Sequence, residues 1–389
     1  MKKRLLIIGL SVVTILLTAV NAMVNKAFIN LFYIVAIIIV FTSCNSGSNN
    51  PLAFIPPDLS KAKDADVIEI TRIEKEATHY HKLAVKDSFV VATGSDYEYT
   101  QHLFSKRTGE YLKSFAAIGR GPGEFIMGMT YVHFTTGNDS TYYVVHLPLS
   151  TVYTYKVKDI MSHSYPFEFI RLSPVPGKFM GQLAFADIIP INDRIIATPG
   201  NKRKNKNLYE LYDNKGKLLD TFALYPNIVE IKHKELISRK MFDFARIAVR
   251  PDGKRMVTGT NYGAYMGIYS LENDSIVLLN ENRYHVPKLY IKLHSGGGCT
   301  YHQHSYDVTG FVSIAVSQER IYAVYYGRKL DLEDDLYYIL EYDWAGRLLK
   351  TYKLNREIFD IKYDDTGNKL YLLYGDYNEG DFRLGYMEV

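Results

Sequence analysis

Cysteine is nearly absent from this chain of 389 residues: Cys44 and Cys299 are the only two, so neither a disulfide framework nor a multi-cysteine zinc module organises it. Net charge is also scarce. The formal +4 comes wholly from residues 1–43, which hold Lys2, Lys3, Arg4 and Lys26 and no acid, so the remainder is balanced. A neutral body without a basic stripe speaks against nucleic-acid binding, because phosphate contacts need concentrated Lys and Arg. From Val67 onward there is no amphipathic helical run longer than three turns. What is abundant is tyrosine, 33 residues in all, in short apolar runs of the kind that half-buried strands favour.

The first 43 residues carry two apolar segments, Leu5–Val20 and Ala27–Ser43. Each reaches about 24–26 Å as a helix against a bilayer core of about 30 Å, which suits a signal segment better than a stable span. Met23 by itself opens a complete signal, with Lys26 ahead of an apolar run, which points to a true start at Met23; insertion of both segments as a hairpin is the alternative. The second segment ends Val40-Phe41-Thr42-Ser43-Cys44 and turns at once into Asn45-Ser46-Gly47-Ser48-Asn49-Asn50. That junction resembles a bacterial lipobox. The resemblance implies cleavage before Cys44 and a diacylglycerol on its thiol, making the membrane a partner through the lipid; the plainer alternative is that Cys44 ends a transmembrane helix. Residues 44–65 then read as a lipidated N-terminus and flexible tether, since Pro56-Pro57-Asp58 blocks helix and central strand. Asn45 lacks the Asp associated with inner-membrane retention, so the expected location is the cell envelope, at the outer membrane.

Residues 66–389 read as all-β. One unit recurs without a gap as a strand, a polar turn ending in Gly and a second strand: Leu211-Tyr212-Asp213-Asn214-Lys215-Gly216 before Leu218–Phe222, and Glu341-Tyr342-Asp343-Trp344-Ala345-Gly346 before Leu348–Tyr352. Leu103–Phe115 is a weaker copy. A second unit, seen at Phe359–Tyr374 and at Phe242–Gly253, supplies two more strands. Inner strands are expected to start near His81, Met129, Phe185, Phe244, Gly310 and Phe359, at intervals of 48 to 66 residues. Four-stranded antiparallel repeats of that length are propeller blades, which makes the fold a six-bladed β-propeller. The last copy supplies only three strands and Val67–Glu74 precedes the first, so N- and C-terminal strands are expected to pair and close the ring. A β-sandwich is the alternative, but it explains neither the copy number nor the matched ends.

Gly119-Arg120-Gly121-Pro122-Gly123-Glu124-Phe125, between two expected blades, resembles the Gly-Pro-Gly-Glu-Phe junction of NHL-type and TolB-like six-bladed propellers. Together with the lipobox, residues 66–389 resemble the six-bladed propeller lipoproteins common in Bacteroidetes. Structurally, Gly119, Gly121 and Gly123 let the backbone turn hard, Pro122 stiffens it, and Glu124 can accept from exposed amides. A phosphate loop is excluded, because no Gly-Lys-Ser/Thr follows. The resemblance also implies that the channel can hold a metal, as gluconolactonase-like propellers do with Glu, Asn and Asp, a set that does not map onto this chain position by position.

Asp187, Asp243, Asp307 and Asp360 fall near the starts of expected inner strands, where carboxylates could hold a divalent cation; the plainer reading has them capping strand ends or turns. His294, Cys299, His302 and His304 are zinc ligands by type, but the spacing matches no module, and their Gly-rich stretch reads as a mobile loop between blades. Lys202-Arg203-Lys204-Asn205-Lys206 reads as a solvated hairpin tip before an anionic-glycan contact. His79 and His81 carry less signal still. No coherent nucleophile, base and orienter stand together, so no catalytic residue and no cofactor is assigned. The expected function is a lipid-anchored binding or scaffold propeller that presents inter-blade loops to a protein or carbohydrate. A metal-dependent hydrolase or lactonase at the channel mouth is the alternative.

Overall fold

Short Tyr-rich strands, each ended by a polar turn, can bury both faces only by stacking sheets radially, and that is the arrangement found. The computed structural model describes residues 54–74, 79–94, 98–121, 124–125, 130–134, 141–162, 168–172, 185–191, 193–199, 207–224, 242, 245–272, 275–286, 289–293, 299–303, 308–327 and 336–389. The chain enters through β1 (Lys63–Asp64) and β2 (Ile68–Arg72). Blade I holds β3 (Tyr80–Lys86), β4 (Phe89–Gly94), β5 (Tyr99–Ser105) and β6 (Tyr111–Ala117). Blade II holds β7 (Thr130–Phe134), β8 (Thr141–His146), β9 (Thr151–Lys156) and β10 (Phe169–Arg171), with a one-turn helix, α1 (Val157–Met161), after β9.

Blade III is β11 (Phe185–Ile191), β12 (Arg194–Pro199), β13 (Asn207–Asp213) and β14 (Leu218–Leu224). Blade IV is β15 (Arg246–Val249), β16 (Arg255–Gly259), β17 (Tyr265–Ser270) and β18 (Val277–Arg283). A separate hairpin follows, β19 (Leu289–Leu293) with β20 (Cys299–Gln303). Blade V is β21 (Phe311–Val316), β22 (Arg320–Tyr325), β23 (Tyr337–Asp343) and β24 (Leu348–Leu354). Blade VI takes β25 (Glu357–Asp364), β26 (Lys369–Asp376) and β27 (Asp381–Glu388) from the C-terminus and β2 from the N-terminus, in the order β2-β27-β26-β25. The expected inner-strand starts agree with those found to within two residues.

Six apolar clusters fill the six gaps between adjoining blades. Alternation along a strand serves both neighbours at once. In β22, Ile321, Ala323 and Tyr325 pack toward blade IV, whereas Tyr322 and Val324 pack toward blade VI. This is why the strands read as nearly continuous apolar runs. Among the described residues eight tyrosines, including Tyr142, Tyr209 and Tyr342, are fully buried there, each able to contribute about 1.5–3 kcal/mol of apolar burial.

Closure joins the chain ends. β2 pairs antiparallel with β27, Ile68 opposite Tyr386 and Arg72 opposite Arg383. Charges repeat the match: Arg72 meets Asp381 at 2.9 Å, and Arg383 meets Glu69 at 2.7 Å and Asp381 at 2.9 Å. The ring therefore presents no free edge at its seam.

Two stretches differ from the sequence reading. Of the tether 44–65, residues up to 53 lie outside the described residues, but from Phe54 the chain is held to the body. Phe54 packs into the gap between blades III and IV, Leu59 packs into the gap between IV and V, the Ile55 amide donates to Arg283 O at 2.9 Å, and β1 pairs in parallel with β24. The apolar residues of an extended Pro-containing strap find the open gaps between blades, a match invisible to composition. The Gly-rich stretch read as a mobile loop contains β20, which pairs with the preceding β19, Leu289 opposite Gln303 and Leu293 opposite Cys299. The leader 1–43 and Cys44 lie outside the described residues. Among the described residues no helix is long and apolar enough to cross a membrane.

Candidate functional site

In each blade the inner strand begins, and the outer strand ends, on one rim of the ring, here called the junction rim; the tight hairpins lie on the other. Four inner strands begin with the same device. A β-bulge falls between Tyr80 and Lys82, Phe185 and Asp187, Phe311 and Ser313, and Ile358 and Asp360. The residue before each bulge is an aromatic or Ile buried between blades, and the residue after it is polar. Ala245-Arg246 stands at the corresponding place in β15. A bulge re-aims side chains and releases backbone groups from the ladder, and here it sets polar groups around the axis.

Asp360 uses those released groups to tie three blades. Its carboxylate accepts from the Leu83 amide of blade I at 2.7 Å and from the Ser313 hydroxyl of blade V, while Ser313 Oγ accepts from the Ile361 amide at 3.1 Å. Lys362 Nζ lies 3.8 Å away. Burial alone would raise the Asp360 pKa, but Lys362, Lys82 and the two hydrogen bonds outweigh it and hold the carboxyl below its ordinary value. Arg246 ties blade IV to blade V in the same way, its Nε donating to Val312 O at 2.8 Å.

Positive groups gather at this inner ring. Lys82 belongs to blade I and Arg246 to blade IV, opposite positions in a ring of six, and Lys362 of blade VI joins them. Burial in the channel, then the charge of Arg246, pushes the Lys82 ammonium down to about 8; Asp360 opposes this, Lys362 adds to it and Asp187 opposes it more weakly. His81 sits in the bulge itself, solvent-accessible yet hemmed in by protein, and is held down at about 4 by burial first and then by Lys82 and Arg246, against a smaller pull from Asp360. The imidazole is therefore neutral at pH 7.

Of the carboxylates singled out in the sequence, Asp187 and Asp360 both reach this ring, where both act on Lys82. Asp187 Oδ1 accepts from the Ile188 amide at 2.9 Å. Asp243 and Asp307 lie outside the described residues. Among the described residues no three His, Cys, Asp or Glu side chains come together as a metal site. His294 and His304 are also outside, and Cys299 and His302 belong to β20. Lys202, Arg203, Lys204 and Lys206 lie outside as well; the strands flanking them, β12 and β13, meet on the junction rim. The sequence reading missed Lys82, Arg246, Lys362 and Ser313. The available signal was positional, since Lys82-Leu83, Arg246-Ile247, Ser313-Ile314 and Asp360-Ile361 align as polar-aliphatic pairs at inner-strand starts.

The blade I to II junction is a backbone lock. Glu124 Oε2 accepts from the Gly121 amide at 2.7 Å, Gly119 N donates to Phe125 O at 3.0 Å, and Phe125 is buried against Tyr153 with ring centroids 4.9 Å apart. A Cβ on Gly119 would stand 1.9 Å from Glu124 Oε2, so any side chain there would displace the carboxylate that holds the Gly121 amide. Pro122 and Gly123 lie outside the described residues.

The model of the TolB-like six-bladed propeller-like family matches residues 73–366. The chain belongs to that family. As a fold, this TolB-like propeller is similar to a Bacteroides fragilis protein described as exported, at 12% identity with a TM-score of 0.51, over 86% of this chain and 98% of that one. It also overlaps the β-propeller domain of Cps50 (Swd1) from Myceliophteria thermophila, at 10% identity and a TM-score of 0.44 over 82% and 99% of the two chains. The structure of U3-55K overlaps at 12% identity and 0.47, over 82% and 98%. No curated protein matches the chain in sequence.

Proposed function

We propose that this TolB-like propeller is a binding scaffold of the cell envelope, lipid-anchored through Cys44 at the outer membrane, that engages a protein or carbohydrate on its junction rim. The observation that carries the reading is the inequality of the two rims. On the hairpin rim, turns such as Asp213–Gly216 and Asp343–Gly346 close on themselves through their own side chains. The junction rim carries the inter-blade connections, including the one that contains β19 and β20, and the mouth of the charged inner ring. Rigid blades that position longer connections are how scaffolds build recognition surfaces. The lipobox-like residues before Cys44 support the address, and the description of the Bacteroides fragilis fold neighbour as exported agrees with it.

The test is metabolic labelling with a palmitate analogue followed by co-purification from the protein's own cells. Label and membrane association should disappear in Cys44→Ala. Captured partners should be lost when residues 260–264 on the junction rim are replaced by Gly and Ser, and retained when Lys215 and Lys217 on the hairpin rim are changed to Ser. An unlabelled wild type would overturn the anchor. Partner loss on the hairpin rim instead would overturn the choice of face.

A further inference from the structure

We infer that the channel mouth on the junction rim is a binding site for an oxyanion, the carboxylate or phosphate group of a ligand, held between Lys82 of blade I and Arg246 of blade IV. The inference deepens the binding-scaffold reading and rests on it for the face involved.

The two cations approach the axis from opposite sides of the ring. Lys82 and Arg246 begin inner strands half a turn apart around the ring, and Lys362 approaches from blade VI. Arg246 is fixed through Nε to Val312 O, and its two terminal nitrogens have no hydrogen-bond partner among the described residues. A guanidinium anchored in this way presents a pre-ordered fork, which suits carboxylate and phosphate. The charged groups described around the site are Lys82, Arg246 and Lys362 against Asp187 and Asp360, with His81 neutral. Asp360 is nearly sealed from water, its oxygens bonded to Leu83 and Ser313, so it offsets Lys362 and part of the charge on Lys82 from a fixed place and makes no hydrogen bond to Arg246. Cations that repel one another in a recess walled by protein interact through a low effective dielectric, and a bound anion would relieve that repulsion. Burial is the larger cause of the depressed Lys82 and His81, and the charge of Arg246 adds to both. Residues 359–362, 81–82 and 246 come from three blades, so none of this is local in sequence.

The test uses the detergent-solubilised full chain at low ionic strength, titrated calorimetrically with inorganic phosphate and, separately, with D-glucuronate. Saturable binding of one probe per chain is expected, weakened about tenfold or more in Lys82→Met and in Arg246→Gln, since each removes a charge-assisted contact. Lys217→Met on the hairpin rim should bind like wild type. A readout that a purely structural role would not move is the His81 imidazole titration, followed by NMR: the bound anion should raise it from about 4 toward its ordinary value. Should Arg246→Gln fail to fold, Arg246→Lys keeps the charge and loses the fork, and should still bind more weakly than wild type. Preference for phosphate would identify a phosphorylated ligand such as a headgroup, and preference for glucuronate an acidic glycan; either supports the site. Binding of neither probe, or binding indifferent to both Lys82 and Arg246, overturns it without touching the anchor or the rim choice.

Discussion

The two rims of the ring solve the same problem, what to do with polar groups at strand ends, in opposite ways. On the hairpin rim the solution is largely local. Asp213 accepts from the Lys215 and Lys217 amides at 2.9 Å each, Asp343 does the same for Ala345 and Arg347, and Asp252 takes the Lys254 amide and the Arg250 guanidinium, which holds its carboxyl at about 2 against the opposing effect of burial. On the junction rim the partners are 66 to 314 residues apart: Asp360 with Leu83, Arg246 with Val312, Arg383 with Glu69. One rim is therefore written largely in its turns, with ties between blades such as Lys106 to Asp364 at 2.9 Å added to them, while the other takes its form when the ring closes.

The sharpest way to break this comparison is to open the seam. A chain beginning at Ile73 lacks β1 and β2 and leaves Phe382 and Leu384 exposed beside an unpaired β27; it should lose about 5 kcal/mol or more, most of an ordinary domain's stability, and melt without a cooperative transition in circular dichroism. Retained cooperativity would show that the seam is not what holds the ring. Next comes Asp360→Ala, which strands the Leu83 amide and removes the counter-charge of Lys362; urea unfolding should report a loss of about 3–5 kcal/mol. Because the folded carboxyl titrates below its unfolded value, the stability it supplies is present above the unfolded pKa and is lost as pH falls, so wild type and variant should converge in acid.

A smaller loss, about 1–3 kcal/mol, is expected for Gly216→Ala on the hairpin rim. There φ is +78° and a Cβ would meet Arg171 O of blade II at 2.0 Å, so backbone strain and a clash with the adjoining blade combine, which thermal melts should show. The smallest effect belongs to His81→Asn. The folded imidazole titrates near 4 and the unfolded one near 6.5, so wild-type stability falls as pH drops through that window, where only the unfolded chain takes up the proton. The variant should decline less steeply between pH 6.5 and 4 in a series of urea titrations. Parallel curves would mean that neither burial nor the charges of Lys82 and Arg246 hold the imidazole down.

How far the sequence could be read follows the same division. The repeats at Leu211–Phe222 and Glu341–Tyr352 showed strand, turn and strand because Asp and Gly act within a few bonds of themselves, and counting such units was enough for six blades and for pairing of the ends. The Gly119–Phe125 junction was legible for the same reason, since Glu124 bonds Gly121 only three residues back. The inner ring was not. Asp187 and Asp360 could be placed at strand starts, but the bulges that turn Lys82, Asp187, Ser313 and Asp360 inward depend on pairing with the next strand, and whether a carboxylate meets a cation, an amide or a metal depends on blades far away in the chain. The strap at Phe54–Asp64 was hidden likewise, because Pro56 and Pro57 describe a chain that cannot be a central strand without saying what it lies against.

By itself, then, the amino-acid order determined the period, the turns and the matched ends, since these rest on backbone preferences and side chains bonding their own neighbours. Only the closed ring decided which charges face one another at the axis and which blade gaps receive the N-terminal strap. Those are long-range electrostatic and packing relations, and a chain has no distance between Lys82 and Arg246 until six sheets have been stacked to set it.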